Sequence, residues 1–126
     1  MKRILLVDDS RVTRELMKVY LIATDVELLE AADGAEALRI IKARPPDLVL
    51  ADLRMPKLDG YGLCQALQLD PGLRKVPVLI LTSSRDAEAE RRLRAAGARQ
   101  VLQKPIQPQP LHQAIQRHIL TQAVLP

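Results

Sequence analysis

The sequence Ile4-Leu-Leu-Val-Asp-Asp9 places four consecutive apolar residues directly before two aspartates. The same arrangement recurs in Leu48-Val-Leu-Ala-Asp52, and Val78-Leu-Ile-Leu81 runs into the hydroxyl residues Thr82 and Ser83. Apolar runs without alternation are typical of strands that are covered on both faces. The three segments therefore predict a buried parallel sheet whose strands end in polar side chains at one edge.

Segments of helical period separate these strands from two weaker apolar runs, Val26–Leu29 and Val101–Leu102. The helix boundaries are marked by capping and breaking residues, namely Ser10, Asp33, Pro45-Pro46, Gly97 and Pro110. The first helix carries an apolar stripe formed by Val12, Leu16, Val19, Tyr20 and Ala23. Five strands alternating with five helices predict one α/β domain over residues 1–126. We expect a flavodoxin-like, doubly wound, five-stranded parallel sheet of order 2-1-3-4-5.

The composition excludes several classes of function. The chain of 126 residues has no Phe or Trp and two aromatic residues, Tyr20 and Tyr61, which are too few for a base-stacking nucleic-acid platform. Its net charge of +4 comes without a recognition motif for nucleic acids. The single Cys64 cannot form an internal disulfide, and no apolar run approaches the length of a membrane span. We therefore expect a cytoplasmic protein that binds neither membranes nor nucleic acids directly.

Polar residues at the carboxyl ends of the strands define the candidate site. Asp8 and Asp9 follow the first strand, Asp52 ends the third, Thr82 the fourth and Lys104 the fifth. In the predicted fold these ends meet in one pocket. Two unit charges about 4 Å apart repel by about 4 kcal/mol at an effective dielectric constant near 20, so three carboxylates need cations beside them. Lys104 supplies one cation, and oxygen ligands without a His or Cys cluster favour Mg²⁺ or Mn²⁺ as a second.

Such a pocket is suited to phosphoryl transfer. A carboxylate can act as the nucleophile, while a metal ion and an ammonium group neutralise the phosphoryl oxygens and a hydroxyl donates a hydrogen bond. Together with Asp52-Leu-Arg-Met-Pro56, Asp59-Gly60 and Lys104-Pro105, the site resembles the receiver domain of the response regulators of two-component signalling. The resemblance extends from Lys2 to Ile119.

The resemblance implies a role for each residue of the site. Asp52 would accept a phosphoryl group from the phosphohistidine of a sensor histidine kinase or of a phosphotransfer protein in a phosphorelay. Asp9 would bind the metal ion directly, Asp8 would bind it through water, and the backbone carbonyl of Arg54 would complete the protein ligands. Lys104 would pair with a phosphoryl oxygen, and the peptide bond after it would be cis. Such a domain is a phospho-acceptor that assists its own phosphorylation and dephosphorylation, and not an enzyme.

The resemblance also implies a switch and an output face. Thr82 would move its hydroxyl toward the phosphate, and most receivers carry a Tyr or Phe three residues before the lysine, where this chain has Val101. We therefore expect phosphorylation to be retained and the switch step to differ. The family's output face lies on the fourth helix, fifth strand and fifth helix. Its basic residues here are Arg91, Arg92, Arg94, Arg99 and Arg117. No acidic residue follows Glu90, so this face predicts an acidic downstream protein.

Two other functions remain open from the sequence. Phosphatases of the haloacid-dehalogenase type also use an aspartate after the first strand, and they carry a second aspartate two positions later. If Asp8 were that nucleophile, the second position would hold Ser10, and no cap domain is present. The other alternative is a protein-interaction domain that works without phosphorylation, which the intact acidic pocket argues against.

Overall fold

A computed structural model describes the backbone of residues 1–120 and the side chains of residues 1–119, and it contains one parallel sheet. Its strands are β1 (Lys2–Val7), β2 (Val26–Ala31), β3 (Leu48–Asp52), β4 (Val78–Thr82) and β5 (Gln100–Gln103). They lie in the order β2-β1-β3-β4-β5, which confirms the predicted topology. The second and fifth strands extend beyond their apolar runs because pairing with the neighbouring strand continues through Glu30 and Ala31 in β2 and includes Gln100 and Gln103 in β5.

Five helices connect and flank the strands, as predicted. They are α1 (Arg11–Tyr20), α2 (Gly34–Ala43), α3 (Gly60–Leu69), α4 (Ala87–Ala95) and α5 (Pro108–Ile115), and α5 continues into a π-helical turn over Gln116–Leu120. The side chains of Ser10 and Asp33 accept hydrogen bonds from the first turns of α1 and α2. Gly97, with φ +119°, follows α4 in the left-handed region. No helix within residues 1–120 is long and apolar enough to cross a bilayer.

Aliphatic side chains form a core on each face of the sheet. Leu5 and Val7 of β1 point toward α2, α3 and α4, whereas Ile4 and Leu6 point toward α1 and α5. Both faces of the central strands are covered, which explains why polar residues occur in these strands only at their ends. The double-sided core leaves the ends of the strands as the place where polar side chains converge.

Three residues of the apolar stripe predicted for the first helix, Val12, Leu16 and Val19, do not face the core, whereas Tyr20 packs against it. Val12 is 80% exposed and Val19 is 62% exposed, whereas Met17 and Leu21 are buried. Ala23 lies beyond the end of α1. The helix has apolar residues on two opposite faces, so spacing predicts the helix without showing which face packs on the sheet. The remaining stripe is an exposed apolar surface next to the candidate site.

Candidate phosphorylation site

Three carboxylates meet where β1 and β3 end. Asp8 and Asp9 follow β1, Asp52 is the last residue of β3, and one oxygen atom from each lies within 4.8 Å of the other two. Asp8 is buried, Asp52 is partly buried and Asp9 is exposed. The acidic pocket predicted from the sequence is therefore assembled, and its exposed member opens it to the surface.

Lys104 brings a positive charge to this cluster. Its Nζ atom lies 3.1 Å from Asp52 Oδ1 and 3.5 Å from Asp8 Oδ2. The backbone amide of Lys104 donates to the carbonyl oxygen of Thr82 at 2.9 Å, and the peptide bond to Pro105 is cis, as predicted. Burial lowers the pKa of Lys104, but the hydrogen bond to Asp52 and the charges of both aspartates outweigh it, so its pKa lies above the usual value. Lys104 therefore remains an ammonium ion at neutral pH.

The ionised form of Asp8 is disfavoured by its surroundings. Burial raises the pKa of Asp8, and the charge of Asp52 raises it further. The amide of Ser10, which donates to Asp8 Oδ1 at 2.8 Å, and the charge of Lys104 both act in the opposite direction without cancelling the effect. The cluster thus retains negative charge that a further cation would offset.

The donor set fits a divalent metal ion. All three groups that could hold an ion are carboxylates, and hard oxygen donors match Mg²⁺ or Mn²⁺, whereas zinc sites usually contain His or Cys. Three carboxylates share the single ammonium group of Lys104, so Lys104 alone does not balance their charge. Both observations agree with the predicted Mg²⁺ or Mn²⁺.

The predicted switch residues lie on neighbouring strands beside the cluster. Thr82 is buried at the end of β4, where its Oγ1 accepts a hydrogen bond from the Ser84 amide at 3.0 Å. Val101 lies on β5 and is partly buried. A small cavity under α4 is lined by both residues together with Leu53 and Leu93. The space next to Val101 therefore reaches from the site to the underside of α4.

The loop after β3 carries Arg54 and rests on the start of α2. The side chain of Arg54 is exposed. Lys57 adopts φ +69° and its ammonium group lies 3.7 Å from Asp33 Oδ2. At Gly34, a Cβ atom would lie 2.0 Å from the carbonyl oxygen of Leu58. This close packing holds the loop that follows Asp52.

The arginines of the predicted output face are all exposed, but they differ in their ionic partners. Arg91 is paired with Glu88, and Arg94 is paired with Glu90 at 3.2 Å, both within α4. Within residues 1–119, no carboxylate forms an ion pair with the other three arginines of the face, Arg92, Arg99 and Arg117. Two of the five arginines are thus paired within α4, and the face keeps the excess of positive charge that the sequence gives it.

Two features beside the site were not identified from the sequence. Arg14 of α1 reaches the backbone of the site, where its Nη1 atom donates to the carbonyl oxygen of Asp8 at 2.5 Å. A groove of about 360 Å³ lies next to Lys104 and is lined by Leu16 and Ile106. The apolar stripe of α1 was the available signal for the groove, whereas no sequence pattern distinguishes Arg14 from a solvated arginine.

Comparison with known proteins identifies the family to which this site belongs. The profile of the family described as "Response regulator receiver domain" matches residues 4–116. The chain belongs to this receiver family. The receiver domain is 38% identical over 114 residues to "Probable transcriptional regulator ycf27" of Porphyridium aerugineum, which covers 90% of this chain and 46% of the relative. It is 33% identical over 115 residues to "Probable chemotaxis protein CheY" of Rhizobium etli, with 90% of this chain and 89% of the relative covered.

Solved receiver structures share the fold and include metal-bound forms. The signal receiver domain of a histidine kinase from Syntrophus aciditrophicus is 32% identical with a TM-score of 0.89, covering 100% of this chain and 96% of that chain. A receiver domain from a Pseudomonas aeruginosa sensor histidine kinase is 29% identical with a TM-score of 0.84, and the match covers 93% of this chain and 96% of that chain. That receiver domain coordinates a magnesium ion in its active-site cleft. The Mn²⁺-bound response regulator Rcp1 is 28% identical with a TM-score of 0.84, and the match covers 100% of this chain and 99% of that chain.

This receiver domain is a phospho-acceptor signalling domain of two-component systems. Its three carboxylates form a group that could hold a metal ion, and two of the similar structures hold Mg²⁺ or Mn²⁺. Receiver domains partner with histidine kinases and with downstream effectors. No observation supports the phosphatase or the phosphorylation-independent interaction domain. The chain spans about half the length of several curated relatives that it matches.

Proposed function

We propose that Asp52 is the residue of this receiver domain that accepts the phosphoryl group, from a sensor histidine kinase or a phosphotransfer protein. The observation that carries this proposal is the position of Asp52 between Lys104, at 3.1 Å, and the carboxylates of Asp8 and Asp9. Of the three carboxylates, Asp52 combines direct contact with the ammonium group and partial exposure to an incoming donor.

In the proposed reaction, a carboxylate oxygen of Asp52 attacks the phosphorus atom of a phosphohistidine. The new O–P bond forms as the N–P bond breaks, and the electron pair of that bond leaves with the imidazole of the donor. Lys104 neutralises a phosphoryl oxygen, which lowers the cost of bringing two anions together. These residues assist a transfer whose phosphoryl group stays on the domain, so we classify the domain as a phospho-acceptor and not as an enzyme.

The other acidic residues hold the divalent ion in this proposal. Asp9 binds the ion directly, Asp8 binds it through water, and the backbone carbonyl of Arg54 and the carboxylate of Asp52 complete the protein ligands. When bound, the ion neutralises charge on the phosphoryl group. Asp9 suits direct binding because it is exposed, whereas Asp8 is buried and already engaged by Lys104.

Thr82 and Val101 form the proposed switch. Thr82 Oγ1 already accepts the hydrogen bond of Ser84, so a move of the hydroxyl toward a phosphoryl group would pull on the loop between β4 and α4. Val101 has no ring that could rotate. The motion would therefore be transmitted through that loop and through the packing of α4, below which the small cavity lies.

Two surfaces are proposed for the two kinds of partner. The phosphodonor protein docks on the exposed apolar stripe of α1, since Leu16 of that stripe and Lys104 of the site line the same groove. A downstream protein with an acidic surface binds the arginines of the output face. Both partners are expected in the cytoplasm. Residues 1–126 act as one receiver unit, without direct contact with nucleic acids or membranes.

The experiment that tests the function is phosphorylation by a small donor. The wild-type domain is incubated with Mg²⁺ and acetyl phosphate, and its intact mass is measured. We expect a gain of one phosphoryl group in the wild type and no gain in Asp52→Asn. Asp59→Asn, which changes an exposed capping aspartate to another capping residue, is the matched control and is expected to be phosphorylated. A wild type that is never modified, or an Asp52→Asn variant that is modified like the wild type, would contradict the proposal.

A further inference from the structure

Arg14 connects the loop of the site to the edge of the sheet. Its side chain is 15% exposed, and its Nη1 atom donates to the carbonyl oxygen of Asp8 at 2.5 Å. Its Nε atom donates to Glu30 Oε1, near the end of β2, at 2.9 Å. Lys18 also pairs with Glu30, at 2.8 Å, so the carboxylate that orients Arg14 is itself held from two sides.

These contacts constrain the peptide plane that joins the two neighbouring aspartates. The Asp8 carbonyl oxygen belongs to the same planar unit as the amide nitrogen of Asp9, so a bond to that oxygen restricts the direction in which the chain reaches Asp9. Asp8 has further restraints, because its amide donates to Ala31 and its carboxylate accepts from Ser10. Within residues 1–119, the side chain of Asp9 makes no hydrogen bond or ion pair of its own. The orientation of Asp9 therefore depends on the backbone that Arg14 holds.

The effect of Arg14 depends on geometry more than on its net charge. The hydrogen bond of Lys18 and the bond of Arg14 lower the pKa of Glu30, so the carboxylate stays ionised and balances the guanidinium. A guanidinium has donors on separate nitrogens in a rigid plane and can hold two acceptors at once. An ammonium group at the same position cannot reach Glu30 and the Asp8 carbonyl in that arrangement. Arginine is therefore the side chain that fits both contacts.

We propose that Arg14 is a positioning residue of the phosphorylation site, which fixes the peptide between Asp8 and Asp9 so that both carboxylates face the divalent ion. This inference rests on the proposed role of the two aspartates as metal ligands. It adds a residue of α1 that touches neither the ion nor the phosphoryl group.

The test compares two arginines of the same helix. Arg14→Met removes both contacts, and Arg11→Met removes an equal charge at an exposed position that makes no hydrogen bond or ion pair within residues 1–119. The affinity for Mn²⁺ is measured by electron paramagnetic resonance of the free ion, with the unphosphorylated domain and without a phosphodonor. We expect Arg14→Met to weaken Mn²⁺ binding about tenfold, as for other groups that orient metal ligands, and Arg11→Met to change it by less than about twofold.

A second variant separates positioning from folding. Arg14→Lys retains the charge, and urea unfolding verifies that the fold is intact. We expect Arg14→Lys to bind Mn²⁺ more weakly than the wild type. When Glu30→Gln is combined with Arg14→Met, we expect little further loss of Mn²⁺ affinity beyond that caused by Arg14→Met alone. Equal Mn²⁺ affinities of Arg14→Lys, Arg14→Met and Arg11→Met would overturn the role of Arg14 and leave the proposed function intact. A wild type that fails to bind Mn²⁺ and is not phosphorylated by acetyl phosphate would overturn both.

Discussion

Asp8→Asn is expected to stabilise the metal-free domain while removing its response to Mg²⁺. Asp8 is 1% exposed, it shares a cluster with two other carboxylates, and its pKa is raised chiefly by burial. A raised pKa in the fold means that ionising Asp8 costs more in the folded state than in the unfolded chain. Asparagine is nearly isosteric and keeps an oxygen for the Ser10 amide, so the variant removes mainly this cost.

Burial makes the largest contribution to this cost, and the distances in the site give the size of its charge–charge part. At 4.8 Å, repulsion between two carboxylates amounts to about 3.5 kcal/mol at an effective dielectric constant near 20, which gives about 7 kcal/mol for two neighbours of Asp8. The attraction between Asp8 and the ammonium group of Lys104, at 3.5 Å, amounts to about 4.7 kcal/mol on the same scale and opposes this repulsion. Asp9 and Lys104 are partly solvated, which reduces both values. We therefore expect Asp8→Asn to raise the free energy of unfolding of the metal-free domain by about 1–2 kcal/mol at neutral pH.

The assay is urea unfolding in EDTA and in Mg²⁺, with Asp25→Asn as a control that removes an exposed carboxylate outside the site. In EDTA, Asp8→Asn should unfold at higher urea than the wild type, and Asp25→Asn should not. In Mg²⁺ the wild type should gain stability by mass action and Asp8→Asn should gain much less. The advantage of the variant should shrink as the pH falls toward the usual aspartate pKa of 3.8, because Asp8 is then protonated in the wild type. An Asp8→Asn variant that is less stable than the wild type in EDTA would refute the reasoning.

Two further predictions concern positions outside the cluster. Gly34→Ala should lower the free energy of unfolding by about 2 kcal/mol or more, because its Cβ would lie 2.0 Å from the carbonyl oxygen of Leu58. Gly72→Ala is the control, since a Cβ atom at that position has space. Equal stabilities of the two variants in urea would contradict this prediction. Burial, followed by the charges of nearby arginines such as Arg117, lowers the pKa of His118 below 6.5, so the fold disfavours its protonation. The wild type should therefore lose stability as the pH falls below about 6.5, and His118→Gln should lose less between pH 7.5 and 5.5; parallel losses in urea unfolding would count against it.

The sheet and its site were predictable because they depend on short-range patterns. An uninterrupted apolar run marks a strand covered on both faces, and in Leu48–Asp52 the same five residues also place the acidic side chain at the strand end. Once the strand order follows from alternating strands and helices, the convergence of Asp8, Asp52 and Lys104 follows as well. Neither step requires knowledge of how any helix packs.

Features that depend on helix orientation were not predictable in the same way. Helix α1 has one apolar face that includes Val12 and another that includes Met17, and only the packed structure shows that the second is buried. The contact of Arg14 with the Asp8 carbonyl depends on the same rotation of the helix. The pairing of Arg91 with Glu88 is local in sequence, but the sequence does not show which arginines of the output face have an ionic partner.

The absence of an aromatic residue at Val101 gives the cavity under α4 a specific consequence. Between β5 and α4, Val101, Thr82 and Leu93 line a small cavity of about 10 Å³. Atoms that line a cavity have fewer packing contacts, so moving the elements around it costs less free energy. In the proposed switch, a pull from Thr82 on the loop to α4 would act on the helix beside this cavity. For the proposed switch we therefore expect a small displacement of α4 itself, which would carry Arg91, with the other arginines of α4, toward or away from the proposed partner.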